Sequence, residues 1–479
     1  MNELQFEALL PFMVLAAASM TVILLIAFRM SHTVIQVAAF LMACSVILAM
    51  WYVKDTLPQT IPPLFVVDGF GALFTGMIIF SMMAVGLFSY VYFEEREENP
   101  KEYYILLFLA TLGAAVLTIS THFISLFIGL EVLSVSLYAL IAYLRNRNNA
   151  VESGMKYLVL AAVSSAFLLF GMALIYMETG SMEFERIAQS IKESSSSVLF
   201  NMGFGIMIVA IGFKLALVPF HLWAADVYQG APAPVTAFIA TVSKIGVFAV
   251  LLRFALSVNL QQYPLMITIF SVIAMASMIV GNLLALRQQN IKRLMGYSSI
   301  AHFGYLLVAF LPGNAAGVEA ASFYLLAYSI TLLAVFGVVS VLSTRMKDAE
   351  ELAVYKGLFH RQPILTAVLT ISLLSLAGIP LTAGFIAKFF ILASGVQQNL
   401  WLPVLVLVIT SVMGLYYYLR VVSTLFAAPS SATIAAKSLH PFFSVSTYLA
   451  LIVMMLLLCW LGIFPGRAVE GIREFLLIR

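Results

Sequence analysis

Residues Val209–Phe248 read VAIGFKLALVPFHLWAADVYQGAPAPVTAFIATVSKIGVF. Most of this stretch is apolar enough to sit in lipid, yet it carries Lys214, Pro219, His221, Asp226 and Lys244. A lysine at the centre of a membrane helix costs roughly 2.5–3.5 kcal/mol on the insertion scale, so such residues must be paired or face a wet interior. Pro219 removes a backbone donor and clashes with the preceding turn, so the stretch is predicted to be a helix broken at that point.

The rest of the chain fits the same setting. Of 479 residues, 63% are hydrophobic and only 10% are charged, which no soluble core could accommodate. Apolar runs on the order of 20 residues, the length that crosses a ~30 Å hydrocarbon layer, recur from end to end. Their cores fall at 8–28, 33–52, 69–92, 103–119, 122–144, 153–178, 197–225, 233–256, 264–286, 291–311, 316–344, 362–396, 401–427 and 441–465. Backbone groups cannot stay unpaired in lipid, so these are expected to be helices: an all-α polytopic membrane protein of about fourteen spans.

A net charge of +3, with basic residues scattered over short connectors, offers no face for nucleic acid. Cys44 and Cys459 sit in separate apolar runs, so neither a metal knuckle nor an iron–sulfur ligand set is expected. Glu3 and Glu7, with no basic residue before Arg29, make a poor signal-peptide start, and the first apolar run is read as a retained helix.

Orientation follows from the lysines and arginines. One set of connectors and helix ends holds Arg29, Arg96, Lys101, Arg145, Arg147, Lys156, Arg287, Lys292, Arg293, Arg345, Lys347, Lys356, Arg361, Arg420 and Lys437. The other holds Lys54, Arg186, Lys192, Arg253, Arg467, Arg473 and Arg479. Fifteen against seven places both termini outside.

The run 362–396 is also interrupted, at Gly378-Ile379-Pro380, and contains Lys388. Two broken segments, each near a membrane lysine and five helices apart, indicate paired repeats. An odd number of helices separates their starts, so the repeat is inverted. The expected division is a three-helix segment 1–102, a first five-helix unit 103–256, a second 264–427, and a last helix with tail 441–479.

Glu131 is the only acidic residue in FISLFIGLEVLSVSLYALIAYL. A structural ion pair would account for it, but a unit-charge pair at ~4 Å and effective dielectric near 20 is worth about 4 kcal/mol. Changing the Glu131–Lys214 distance would therefore load or unload a proton. His221 and His302 are candidate relays, while His122 and His360, near helix ends, are read as structural. Lys156 is expected to snorkel, and Asp226 to cap or neighbour the break. The glycines of GFGIMIVAIG lack a strand-turn-helix context and indicate packing. FEEREENPKEYY and IKESSSS read as solvated connectors.

Together, GFKLALVPFHLWAADVYQGAPAPVTAFIATVSK (212–244), LFIGLEVLSVSLYAL (126–140), NIKRLMGYSSIAHFGYLLVA (290–309) and LSLAGIPLTAGFIAKFF (374–390) resemble the antiporter-like N subunits of bacterial proton-pumping NADH:quinone oxidoreductase, complex I. The resemblance implies fourteen helices, inverted five-helix repeats, a membrane-arm place beside other antiporter-like subunits, and proton-carrying roles for Glu131, Lys214, Lys244 and Lys388. Lys388 stands where the M subunit has glutamate, and the chain stops soon after its last apolar run, without the long lateral helix of the L subunit; both favour N. FMN, iron–sulfur clusters and quinone are then expected in partner subunits, with no cofactor and no metal here, in a bacterial inner membrane with periplasmic termini. An Mrp-type cation/proton antiporter subunit is the alternative, and a passive scaffold a third reading that the buried lysines oppose.

Overall fold

The structure is a computed structural model and describes residues 2–94, 96, 100–193, 198–343, 348–428 and 441–477. Arg345, Lys347, Lys437 and Arg479 of the orientation set, and the serines of IKESSSS, lie outside the described residues.

The chain begins with α1 (Glu3–Ala8), α2 (Leu10–Ala27) and α3 (His32–Tyr52). An antiparallel hairpin follows, β1 (Gln59–Ile61) on β2 (Phe65–Val67) with Thr60 opposite Val66. Next come α4 (Gly69–Phe93), α5 (Glu102–Ile119), α6 (Phe123–Ile141), α7 (Asn148–Thr179) and the short α8 (Phe184–Glu193). The opening stretch forms α9 (Val198–Leu215), α10 (Leu222–Gly230), α11 (Ala233–Phe238) and α12 (Lys244–Ser257), the last two joined by a π turn, Ile239–Ser243. The second half holds α13 (Pro264–Leu286), α14 (Ile291–Phe310), α15 (Ala315–Leu342), the single turn α16 (Leu358–Arg361), α17 (Pro363–Ala377), α18 (Ala383–Gln397), α19 (Trp401–Phe426), α20 (Pro441–Ile463) and α21 (Pro465–Leu477).

Twelve crossings are long and apolar by themselves. The α17–α18 pair and α14 bring the described residues to fourteen. α14 carries Lys292, Arg293, Ser298, Ser299 and His302 and is too polar for lipid, but it is nearly all buried in protein and never meets lipid. The α11–α12 span and α15 are likewise interior, whereas α2 and α3 expose most of their surface. These interior spans form the axis of the molecule. The hairpin, α8 and α21 share one end, called here the hairpin end; the α13–α14 turn and the segment after α15 mark the opposite, basic end.

Close helix approach depends on missing side chains. A Cβ on Gly203 would stand 2.8 Å from the Gly171 carbonyl oxygen, so α9 meets α7 backbone to backbone.

Both expected breaks are present. α9 stops at Leu215, with Ala216 left-handed at φ 59°, and α10 resumes at Leu222. This continuation runs to Gly230, past the expected end of the run at 225, because Leu222, Trp223 and Val227 prolong the apolar pattern. α17 stops at Gly378, whose φ of 82° suits glycine. A matched pair of caps fits an inverted repeat: Arg253 Nε of α12 donates to Thr118 O at the end of α5 (3.0 Å), and Arg420 Nη1 of α19 to Leu286 O at the end of α13 (3.0 Å). The first lies at the hairpin end and the second at the basic end.

Candidate functional site: a buried polar line

Glu131 stands on α6, half-buried, and accepts a hydrogen bond from Ser165 of α7 at 2.5 Å. Lys214, 5% exposed near the end of α9, donates to Ser134 at 2.5 Å. Ser134 is three residues beyond Glu131, so one face of α6 serves both partners. The expected direct ion pair is not formed in this conformation: each charge is held by a serine hydroxyl, and among the described residues no ion pair joins them. A hydroxyl satisfies either charge at low cost and releases it by rotating, so the pair can close without breaking a second structural contact.

Lys244 is 1% exposed at the start of α12, directly after the π turn. Its Nζ donates to Ser299 Oγ of α14 at 2.5 Å and lies 4.5 Å from the Phe303 ring centroid. Ser299 Oγ also lies 2.7 Å from Tyr328 OH and 3.3 Å from Tyr228 OH. Both phenols donate to that oxygen, the Tyr328 bond being the short one, so Ser299 accepts from the lysine and from a tyrosine on the same atom. Ser299 therefore joins the lysine to a phenol through a hydroxyl that can turn its own hydrogen either way.

Tyr324, Tyr328 and Thr331 form a polar stripe on α15 at helical spacing. With His302, Ser375 and Lys388 they line a cavity of ≈ 10 Å³ for the centre of a water-sized sphere, room for about one water. His302 Nδ1 lies 2.6 Å from Tyr324 OH and its Nε2 3.0 Å from Tyr418 OH. Across the cavity Lys388, 7% exposed, donates to Ser411 Oγ (2.8 Å) and to the last carbonyls of α17, Leu376 O (2.8 Å) and Ala377 O (3.0 Å). The break that frees those carbonyls thus supplies the partial negative charge that holds the lysine. Gly378 keeps the approach open, since a Cβ there would lie 3.0 Å from Lys388 Cδ.

The structure therefore brings Lys244, His302 and Lys388 into one chain of groups through Ser299 and Tyr328, and sets Glu131 and Lys214 on a second node. Among the described residues no direct hydrogen bond joins the two nodes. His221, at the start of α10 beyond Pro219, is buried with Nδ1 lacking a partner among the described residues. Pro219 and Pro380 lie in the two breaks rather than in helices. Asp226 sits on α10, paired with Arg293 (2.7 Å) and Lys156 (3.1 Å). His122 caps α6 through Nδ1, which accepts from Ile124 N at 3.1 Å.

The residues not singled out from sequence are Ser134, Ser165, Tyr324, Tyr328, Ser411 and Tyr418. The stripe of Tyr324, Tyr328 and Thr331 at helical spacing in a mostly apolar helix was the available signal.

Comparison with known proteins agrees with this fold. The sequence profile of the family described as NADH:quinone oxidoreductase/Mrp antiporter, TM, matches residues 120–414. A chain of respiratory complex I from Thermus thermophilus, solved with bound aureothin, is 31% identical; the match covers 96% of this chain and 98% of that one, with a TM-score of 0.83. A chain of the membrane-bound sulfane sulfur reductase, an archaeal respiratory membrane complex, is 25% identical over 98% of this chain and 96% of its own, TM-score 0.87. A chain of the Mrp complex from Dietzia sp. DQ12-45-1b shares the fold at 20% identity, TM-score 0.83, over 98% of this chain and 97% of that one.

Proposed function

Because the chain belongs to the NADH:quinone oxidoreductase/Mrp antiporter transmembrane family, we propose that it is a proton-translocating membrane-arm subunit of a respiratory NADH:quinone oxidoreductase, of the N type. The observation that carries this is the line from Lys244 through Ser299 and Tyr328 to the cavity shared by His302 and Lys388. Three buried lysines with no carboxylate in contact are costly to a scaffold and useful only to a path.

In this account a proton enters at the first break, where Glu131 and Lys214 exchange it as their serine contacts open. It reaches Lys244 by way of the region around Pro219 and His221, passes along Ser299 and Tyr328, and leaves past Lys388 at the second break. Moving one charge against 100 mV costs about 2.3 kcal/mol, so the two breaks must not conduct together. The driving reaction, with its FMN, iron–sulfur clusters and quinone, belongs to partner subunits, and neighbouring antiporter-like subunits and lipid cover the exposed helices. The setting is a bacterial inner membrane with both termini periplasmic.

Purification of the native complex through a tag on this chain tests the proposal. Co-purifying flavin and iron–sulfur subunits that oxidise NADH support it. A redox-free assembly exchanging cations for protons selects the Mrp-type alternative, which the family's breadth keeps in view.

A further inference from the structure

Away from the line, at the basic end, one buried carboxylate collects three donors. Asp348, in the segment after α15, accepts at Oδ1 from Tyr92 OH (2.5 Å) and Arg147 Nη1 (2.9 Å), and at Oδ2 from Lys292 Nζ (2.9 Å). Lys292, 1% exposed, also donates to Ala231 O just past the end of α10 (2.6 Å). The neighbouring Arg293 holds Asp226 on the same half-helix at 2.7 Å. Two consecutive cations of α14 thus strap down the part of the first broken helix that faces the basic end.

The position of this cluster is what matters. Lys292 and Ser299 are seven residues apart on α14, which puts them on one face with about 10.5 Å between them. Ser299 is the partner of Lys244, so the cluster lies two turns below the central lysine. Burial opposes the charge on Asp348, but Lys292 and Arg147 hold its carboxyl well below the usual carboxylate range. Arg96 also stacks on Tyr92, 3.8 Å from the ring centroid, so the carboxylate sits among cations with both of its oxygens occupied.

We infer that Asp348, Lys292 and Arg147 form the seal that closes the basic end of the polar line beneath Lys244, so that protons from that side enter only by the first break. These are positioning residues: they touch no transported proton, but hold α10 and set the field at the line's closed end. The inference rests on the proposed proton path, though not on the redox partners.

The test is passive proton flux through the native complex in sealed vesicles under an imposed pH gradient, without NADH. Lys292→Met leaves Asp348 paired with Arg147 and removes one buried positive charge from the cluster while keeping the bulk of the side chain. A unit charge about 10.5 Å away through protein changes the barrier enough to raise the flux about tenfold. Lys292→Arg, which keeps the charge, should stay near the wild-type rate. Arg147→Gln, at the partly exposed rim, removes one positive charge by another route and decides the matter if Lys292→Met does not assemble. Raised flux in Lys292→Met and Arg147→Gln with low flux in Lys292→Arg supports the seal; unchanged flux in whichever of the two charge-removing variants assembles overturns it. Because this flux needs no NADH, a negative result leaves the redox assignment standing, and a redox-free complex would still reveal the seal.

Discussion

The three central lysines are satisfied in two ways, and this decides what each can do. Lys214 and Lys244 hold serine hydroxyls, which release by rotation, whereas Lys388 also grips two backbone carbonyls that cannot rotate away. Lys388 is the most fixed of the three. Replacing Glu131 by Gln keeps the hydrogen bond from Ser165 and removes only the charge, so NADH-driven pumping in vesicles should fall about tenfold or more with assembly intact. Pumping at the wild-type rate would reduce Glu131 to a packing residue. Tyr328→Phe removes one hydroxyl at a stability cost of about 1 kcal/mol. Acid-pulse fluorescence should then show slowed transfer past Ser299, and an unaltered rate would place the path elsewhere.

The broken helices are the working elements. A helix that closes its ladder has no spare carbonyl to offer a lysine, and the α17 carbonyls held by Lys388 exist only because the chain turns at Gly378. Pro219→Ala and Pro380→Ala should each let the neighbouring segments approach continuity and lower pumping without raising passive flux. Normal pumping in both, with continuous helices seen by cryo-microscopy, would make the breaks packing features. Both breaks were legible in sequence because Pro219 and Gly378–Pro380 interrupt strongly apolar runs. The link between Lys244 and Lys388 was not, because Ser299, Tyr328 and Ser411 come from three different helices and are ordinary residues until packing joins them. The π turn before Lys244 left no proline or glycine to mark it. Asp348 was hidden in a connector, where a carboxylate usually meets water, and only tertiary packing shows it buried against Lys292. The short hairpin, α8 and α21 escaped for a related reason: they lie at the hairpin end, where the pattern of apolar runs gives no signal.

At the scale of the whole molecule, the interior spans α11–α12, α14 and α15 carry the central polar groups, Lys244, Ser299, His302 and Tyr328, while α6, α9 and α18 turn Glu131, Lys214 and Lys388 inward and the outer helices carry the apolar surface, the reverse of a soluble protein. In the proposed path, the interruptions are where water would reach the line, so the direction of transport would depend on which break is open. On the proposed role in a redox-driven pump, the complex should keep its proton-to-NADH ratio when sodium is replaced by potassium or choline; dependence on sodium would favour the antiporter alternative. The most direct measurement is that ratio in sealed vesicles for Lys244→Arg. A guanidinium can occupy the same pocket and satisfy Ser299, but it stays protonated at any accessible pH and cannot hand its proton on. The account predicts an assembled complex that oxidises NADH yet moves markedly fewer protons per NADH than the wild type. An unchanged ratio would show that Lys244 is only a fixed charge and that no proton travels along this line.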